Sequence, residues 1–177
     1  MSLLKKIRLN MYKLYNEFKF LISGKTINLC GYHKISGHAH IQSVNHGKII
    51  IKESAIIKEF VLLDAVGGNI SLGKNVFINR NTMIVSKKEI TIGNDVSIGP
   101  NVCIYDHDHD VHNHGSFVAD PVIIGNKVWI GTGVIILKGT IIGDNAVIGA
   151  GTVIKNNIAT GTIVFNSQNL LVQKIQS

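Results

Sequence analysis

Residues 124–154 read IGNKVWIGTGVIILKGTIIGDNAVIGAGTVI, and the spacing of isoleucine in them decides the fold. Ile124, Ile130, Ile136, Ile142, Ile148 and Ile154 recur without a slip at every sixth position. Val128, Val134, Thr140, Ala146 and Thr152 hold the place four after an anchor, and Gly125, Gly131, Gly143 and Gly149 follow an anchor directly. An α-helix repeats about every 3.6 residues and a flat strand every two, so neither sustains this period. A coil with three flat faces does. Each face is a short strand plus a corner, and about eighteen residues make one triangular turn. The aliphatic anchors then stack inside along the axis.

The pattern extends upstream. Ile92, Ile98 and Ile104 keep the same period, as do Leu72, Ile78 and Ile84, with Val76, Thr82, Val96 and Val102 at the small places. Ile51, Ile57 and Leu63 fit more loosely, joined by Ile35 and Ile41. The sequence therefore predicts an all-β fold, a left-handed parallel β-helix of hexapeptide repeats over residues 31–165 that starts near Gly31–Gly37. About seven coils are expected, each rising by the strand spacing of about 4.8 Å. Two places break the rhythm. The step from Ile84 to Ile92 is too long and leaves two extra residues within Val85–Ile90. The step from Ile104 to Ile124 is longer still, which makes residues 105–122 a protruding loop.

An open coil exposes unpaired strand edges, so its ends need covering. Leu4, Ile7, Met11, Leu14, Phe18, Leu21 and Ile22 recur at helical spacing, which predicts an amphipathic α-helix over residues 2–22. Residues 1–30 are read as that helix and a cap, and 166–177 as a tail folded back on the last coil. Lys5, Lys6, Arg8, Lys13 and Lys19 surround the apolar stripe. The alternative role of the helix is peripheral association with an anionic bilayer.

The 177 residues are 45% hydrophobic and 16% charged, which fits one folded domain and excludes disorder. A formal net charge of +7 suits an anionic partner, yet no basic patch interleaved with aromatics is visible, so no nucleic acid is expected. Cys30 and Cys103 are too few for a disulfide framework. No apolar run reaches transmembrane length, and the charged N-terminus lacks the apolar core of a signal peptide. A cytoplasmic location follows, with the inner face of the membrane as its variant.

The chemistry is concentrated in the loop, where Tyr105-Asp-His-Asp-His-Asp-Val-His-Asn-His114 holds four of the eight histidines. One of them can act as a general base, because an imidazole pKa of about 6.5 suits proton removal near neutral pH. A neighbouring aspartate would fix its tautomer. Alternatively, His107 with His109, or His109 with His112, could share a metal ion, although a loop without supporting partners makes a poor metal site.

These repeats, the histidine-bearing excursion, and then Ile124-Gly-Asn-Lys-Val-Trp-Ile-Gly131 resemble the hexapeptide-repeat acyltransferases. That family includes the maltose, galactoside and nodulation-type acetyltransferases and the sugar O-acetyltransferases of polysaccharide biosynthesis. Residues 91–101 and 142–153 are typical of it, and the resemblance covers roughly residues 70–160. It implies transfer of an acetyl group from acetyl-CoA to a hydroxyl of a sugar or glycan precursor, in a direct reaction without a metal. By alignment on Ile104-Tyr105, His109 is the general base. Asp106 orients the histidine or touches the sugar, a role Asp108 and Asp110 share as candidates.

On the same resemblance, Asn81, His107 and Tyr105 bind the acceptor. Asn79 is then the asparagine that tolerates a left-handed corner. Trp129, Gly131, Thr132, Gly149, Ala150 and Lys155 hold the cofactor, with backbone N–H groups near Thr132 receiving the oxyanion. Coil corners need the glycines anyway. The resemblance further implies a homotrimer with sites shared between subunits. One departure stands out. The family commonly ends the helix with Gly-Asn-Pro-Ala and a basic residue, whereas this chain has Phe165-Asn-Ser-Gln-Asn169, which weakens the expected contacts to the nucleotide end of CoA. An N-acetyltransferase acting on an amino sugar is the near alternative. A zinc hydratase resembling the γ-class carbonic anhydrases is the remote one, because positions just after the anchors hold glycine rather than histidine.

Overall fold

In the computed structural model, which describes residues 26–113 and 115–166, the chain winds into a parallel β-solenoid with three sheets along its length. The first sheet stacks Thr26–Leu29, Lys48–Ile51, Asn69–Leu72, Glu89–Ile92, Val122–Ile124 and Ile141–Ile142. The second stacks Lys34–Ile35, Ile56–Ile57, Phe77–Ile78, Ser97–Ile98, Trp129–Ile130, Val147–Ile148 and Ile163–Val164. The third stacks His40–Val44, Leu62–Val66, Met83–Ser86, Cys103–Tyr105, Ile135–Ile136 and Val153–Ile154. Each coil gives one strand to each sheet in turn.

Six coils are complete. A seventh reaches only Ile158, bridged to Ile142, and Ile163–Val164. The expected count of about seven is thus too high, although the first strand, Thr26–Leu29, lies ahead of the expected start at Gly31–Gly37. The reason is the length of the early coils. Thr26 pairs with Lys48 and Lys48 with Asn69, while in the fifth coil Ile123 pairs with Ile141. The early coils take more residues because the corner from the third sheet to the first is wide there. It runs through Asn45–Gly47, Gly67–Gly68 and Lys87–Lys88. The two extra residues expected within Val85–Ile90 are the last of these. The expected helix over 2–22 and most of the tail 166–177 lie outside the described residues.

The anchors are buried as the period requires. Ile35, Ile57, Ile78, Ile98, Ile130 and Ile148 form one column, and Ile41, Leu63, Ile84, Ile104, Ile136 and Ile154 another. Each contributes about 1.5–3 kcal/mol relative to leaving it in water. Val76, Thr82, Val96, Val102, Val128, Val134 and Ala146 fill the corners and are fully or almost fully buried. Glycine follows an anchor because coils touch there. A Cβ on Gly73 would sit within 2.4 Å of the Gly93 carbonyl oxygen. Residues one place before each anchor point outward, so Phe77, Ser97, Trp129 and Val147 form a register-matched row on the second sheet. No helix among the described residues is long and apolar enough to cross a membrane.

Candidate active site

The excursion folds as an antiparallel hairpin. His107–His109 pairs with Phe117–Ala119, matching His107 to Ala119, Asp108 to Val118 and His109 to Phe117. The alternation His-Asp-His then acquires a meaning, because successive side chains of a strand point to opposite faces. Both histidines lie against the Phe117 ring, with centroids 5.6 Å and 4.7 Å away. Asp108 turns the other way and meets Lys138 Nζ at 2.5 Å. The hairpin is tied down further by Lys87, whose Nζ stands 3.7 Å over the Phe117 ring, and by Lys88, 3.4 Å from Asp120.

At the root of the hairpin, Asp106 points into the solenoid and is wholly buried. Its carboxylate accepts hydrogen bonds from Ser86 Oγ at 2.6 Å and from the backbone N–H groups of Lys87 and Lys88, both at 2.8 Å. His107 Nδ1 completes the set at 2.9 Å. Burial pushes the Asp106 carboxyl up, but the four donors outweigh it and hold the group below the usual carboxylate range. An ionised carboxylate only accepts, so Nδ1 carries the proton, and Nε2 is the nitrogen that holds the lone pair in the neutral ring. The structure therefore joins Asp106 to His107. Among the described contacts it makes none to His109, which rests on Phe117. Asp110 stays within the turn, accepting from the His112 backbone N–H.

Tyr105 is half-buried beside His107, with centroids 6.0 Å apart and rings edge to face. Burial and the neighbouring Cys103 thiol push its phenol above the ordinary value, so it stays protonated and can donate. Sequence reasoning missed Ser86, Lys87 and Lys88 as partners of Asp106. The signal was present in the long step from Ile84 to Ile92, which marks the wide corner that aims these donors.

The second sheet carries a groove of about 450 Å³. Trp129, Gly131, Thr132, Gly149 and Ala150, five of the six residues expected to hold the cofactor, line it together. Lys155 does not, and stands exposed on the last complete coil. Phe77, Asn79, Ser97, Pro100 and Val147 also line it and were not singled out as cofactor contacts. They were legible in principle, since Phe77, Ser97 and Val147 share the outward row of Trp129. Among the described residues, no charged side chain lines the groove. Such a lining suits an uncharged chain better than a phosphate. Gly131 is dictated by stacking, since a Cβ there would come within 2.7 Å of the Ala150 nitrogen.

The left-handed corner expected at Asn79 falls two residues later. Asn81, not Asn79, has the left-handed backbone, at φ 57°, and stands exposed on a corner. Asn79 faces the groove. Among the described residues, no three His, Cys, Asp or Glu side chains converge to hold a metal ion.

The fold and site together define a solenoid with an acyl-chain-sized neutral groove and a carboxylate-held histidine. The family model described as bacterial transferase hexapeptide (six repeats) matches residues 121–156. A maltose O-acetyltransferase from Clostridium difficile is 31% identical over 86% of this chain and 72% of its own, with a TM-score of 0.56. A galactoside acetyltransferase in complex with coenzyme A is 28% identical over 84% of this chain and 65% of its own, with a TM-score of 0.60. An N-acyltransferase from Bacillus cereus, AntD, bound to dTDP and 3-hydroxybutyryl-CoA, has a TM-score of 0.74 at 20% identity, covering 87% of this chain and 84% of its own, a likeness of fold. Comparison with curated protein sequences finds no significant match. The chain belongs to the hexapeptide-repeat acyltransferase family, and its reaction class is acyl-CoA-dependent acyl transfer.

Proposed function

We propose that the protein moves an acetyl group from acetyl-CoA to a hydroxyl of a sugar or glycan precursor, on a left-handed solenoid that acts as a homotrimer. The observation that carries this reading is the Asp106–His107 pair at the root of a pinned hairpin. His107 Nε2 takes the proton of the acceptor hydroxyl as that oxygen bonds to the thioester carbonyl carbon. The carbon–sulfur bond then breaks, and the imidazolium returns its proton to the departing thiolate. Backbone N–H groups near Thr132 are the candidates for receiving the oxyanion.

His107 is preferred to His109, the position matched by the resemblance, because only His107 has a buried carboxylate on its Nδ1. His109 keeps a place beside the acceptor, since it shares the hairpin face. Asn79 joins the donor contacts, because it lines the groove, and Asn81 stays the candidate for the acceptor.

The trimer is the assembly the resemblance implies, and the placing of groove and hairpin supports it. The groove is on the second sheet, while the hairpin leaves at the corner between the third and first, which is the corner opposite. A hairpin so placed suits the groove of a neighbouring copy better than its own, and a closed ring supplies one to every copy. The maltose and galactoside relatives support a sugar acceptor, and the complex with coenzyme A supports the donor. The test is release of free CoA from acetyl-CoA across a panel of sugars and amino sugars, with and without a chelator. Acceptor-dependent release that ignores the chelator sustains the proposal. Release only with amino sugars moves the acceptor to an amine, and release abolished by the chelator removes the metal-free mechanism.

A further inference from the structure

We infer that Ser86, together with the backbone N–H groups of Lys87 and Lys88, forms a seat whose purpose is to position the Asp106–His107 pair for proton transfer. The inference rests on the acyl-transfer reading above. Ser86 would be a positioning residue, acting through Asp106 and touching no substrate.

The solenoid itself does not ask for a hydroxyl at position 86. In the coil below, Ala65 occupies the same inward place, paired in register with Ser86, and is just as fully buried. Nor does the solenoid ask for a carboxylate in the next coil. Burying an ion there is costly unless donors surround it, and a fully paired buried ion adds little stability over an apolar residue. Yet this column carries Asp106 with every donor supplied. Ser86 Oγ has one proton and two acceptors in reach, the Asp106 carboxylate at 2.6 Å and the Asn69 carbonyl at 3.0 Å. The ionised acceptor forms the stronger bond and takes it. The wide corner after Ser86 turns two successive N–H groups onto the same carboxylate. Ser86 and Lys88 both hold Oδ2, which leaves Oδ1 to the Lys87 N–H and to His107. The seat thus fixes which carboxylate oxygen meets the imidazole and at what angle.

The charged and titratable groups around the pair are few. Tyr105 packs on one side of His107. Lys87 caps Phe117, and His109 lies on the same ring. Lys88 reaches the Ala119 carbonyl and Asp120, and Asp108 is occupied by Lys138. Among the described contacts, the Ser86 hydroxyl bonds to none of these, only to Asp106 and the Asn69 carbonyl.

The experiment is the pH dependence of kcat/KM for acetyl transfer, measured on the intact protein with an acceptor from the panel. Without the Ser86 donor, Asp106 gives more of its charge to the imidazolium. The acid limb of Ser86→Ala should then move to higher pH, by roughly half a unit to one unit. kcat should fall about tenfold, the worth of one hydrogen bond to a charged group, with KM for acetyl-CoA unchanged. In an Asp106→Asn background the same substitution should move the limb no further. An acid limb that stays at the wild-type position, with only the melting temperature lowered, overturns the inference and makes Ser86 structural. If Ser86→Ala does not fold, Ser86→Cys, close in volume and a weak donor, takes its place, and a wild-type profile from it overturns the inference equally. Wild-type transfer and its loss in His107→Ala test the underlying reaction separately, so the two failures are distinguishable.

Discussion

Asp106 and His107 are neighbours in the chain and meet again through their side chains, Oδ1 to Nδ1 at 2.9 Å, with the aspartate wholly buried and the histidine ring only 12% exposed. One member of the pair belongs to the core and the other to the site. That division makes the two separable by experiment.

His107→Ala should lower acetyl transfer by about 10² to 10⁴, the range for loss of a general base. His109→Ala should cost no more than about tenfold, mostly in KM for the acceptor. Steady-state kinetics on both variants checks this, and the reverse ranking would restore His109 as the base.

Asp106→Asn should lose stability in a pH-dependent way. The folded carboxyl is held below its unfolded value of about 3.9, so its contribution is fully present above that pH and disappears as pH falls through the lower folded value. Urea unfolding from pH 7 down to pH 2 should show a gap between wild type and variant that holds to about pH 4 and narrows below it. A gap that is constant across the range would show that the shift does not contribute.

Trp129 is 61% exposed, so its substitution by alanine should leave stability within about 0.5 kcal/mol. It walls the groove, and KM for acetyl-CoA should rise about tenfold while kcat changes less. A kcat effect with unchanged KM would move the donor away from this groove.

Ile98 lies in the middle of a stacked column and is inaccessible to solvent. Ile98→Ala should cost about 2–5 kcal/mol, because the anchors above and below cannot collapse into the space. Chemical denaturation measures it directly.

Lys138→Met removes the ion pair that holds Asp108 on the outer face of the hairpin. The solenoid should melt as before, since the pair is at the surface. kcat should fall about threefold to tenfold if the hairpin must be held in place for His107 to act. An unchanged kcat would show that Phe117 and Lys88 suffice.

How much of this was open to a reader of the sequence depends on whether the feature repeats. The period of six at Ile124–Ile154 left only a three-faced coil, and the burial of every anchor agrees with it. The outward row of Phe77, Ser97, Trp129 and Val147 follows from the same arithmetic, since each stands one place before an anchor. The number of coils was less legible, because the wide corners at Asn45–Gly47 and Gly67–Gly68 lengthen the early turns without a fixed rule.

By itself, then, the sequence determined the solenoid, its stacked aliphatic core and the segment that carries the histidines. All three are properties of spacing along the chain, which a regular coil converts directly into position, whereas the groove residues came from the family resemblance. Only the tertiary structure decided which histidine meets the buried aspartate and which asparagine faces the groove. The first depends on Ser86, Lys87 and Lys88, which lie a full coil away in sequence and reach Asp106 only because the coils stack. The second depends on how the corner is turned, with the left-handed residue at Asn81 rather than Asn79, which residue type allows but does not impose.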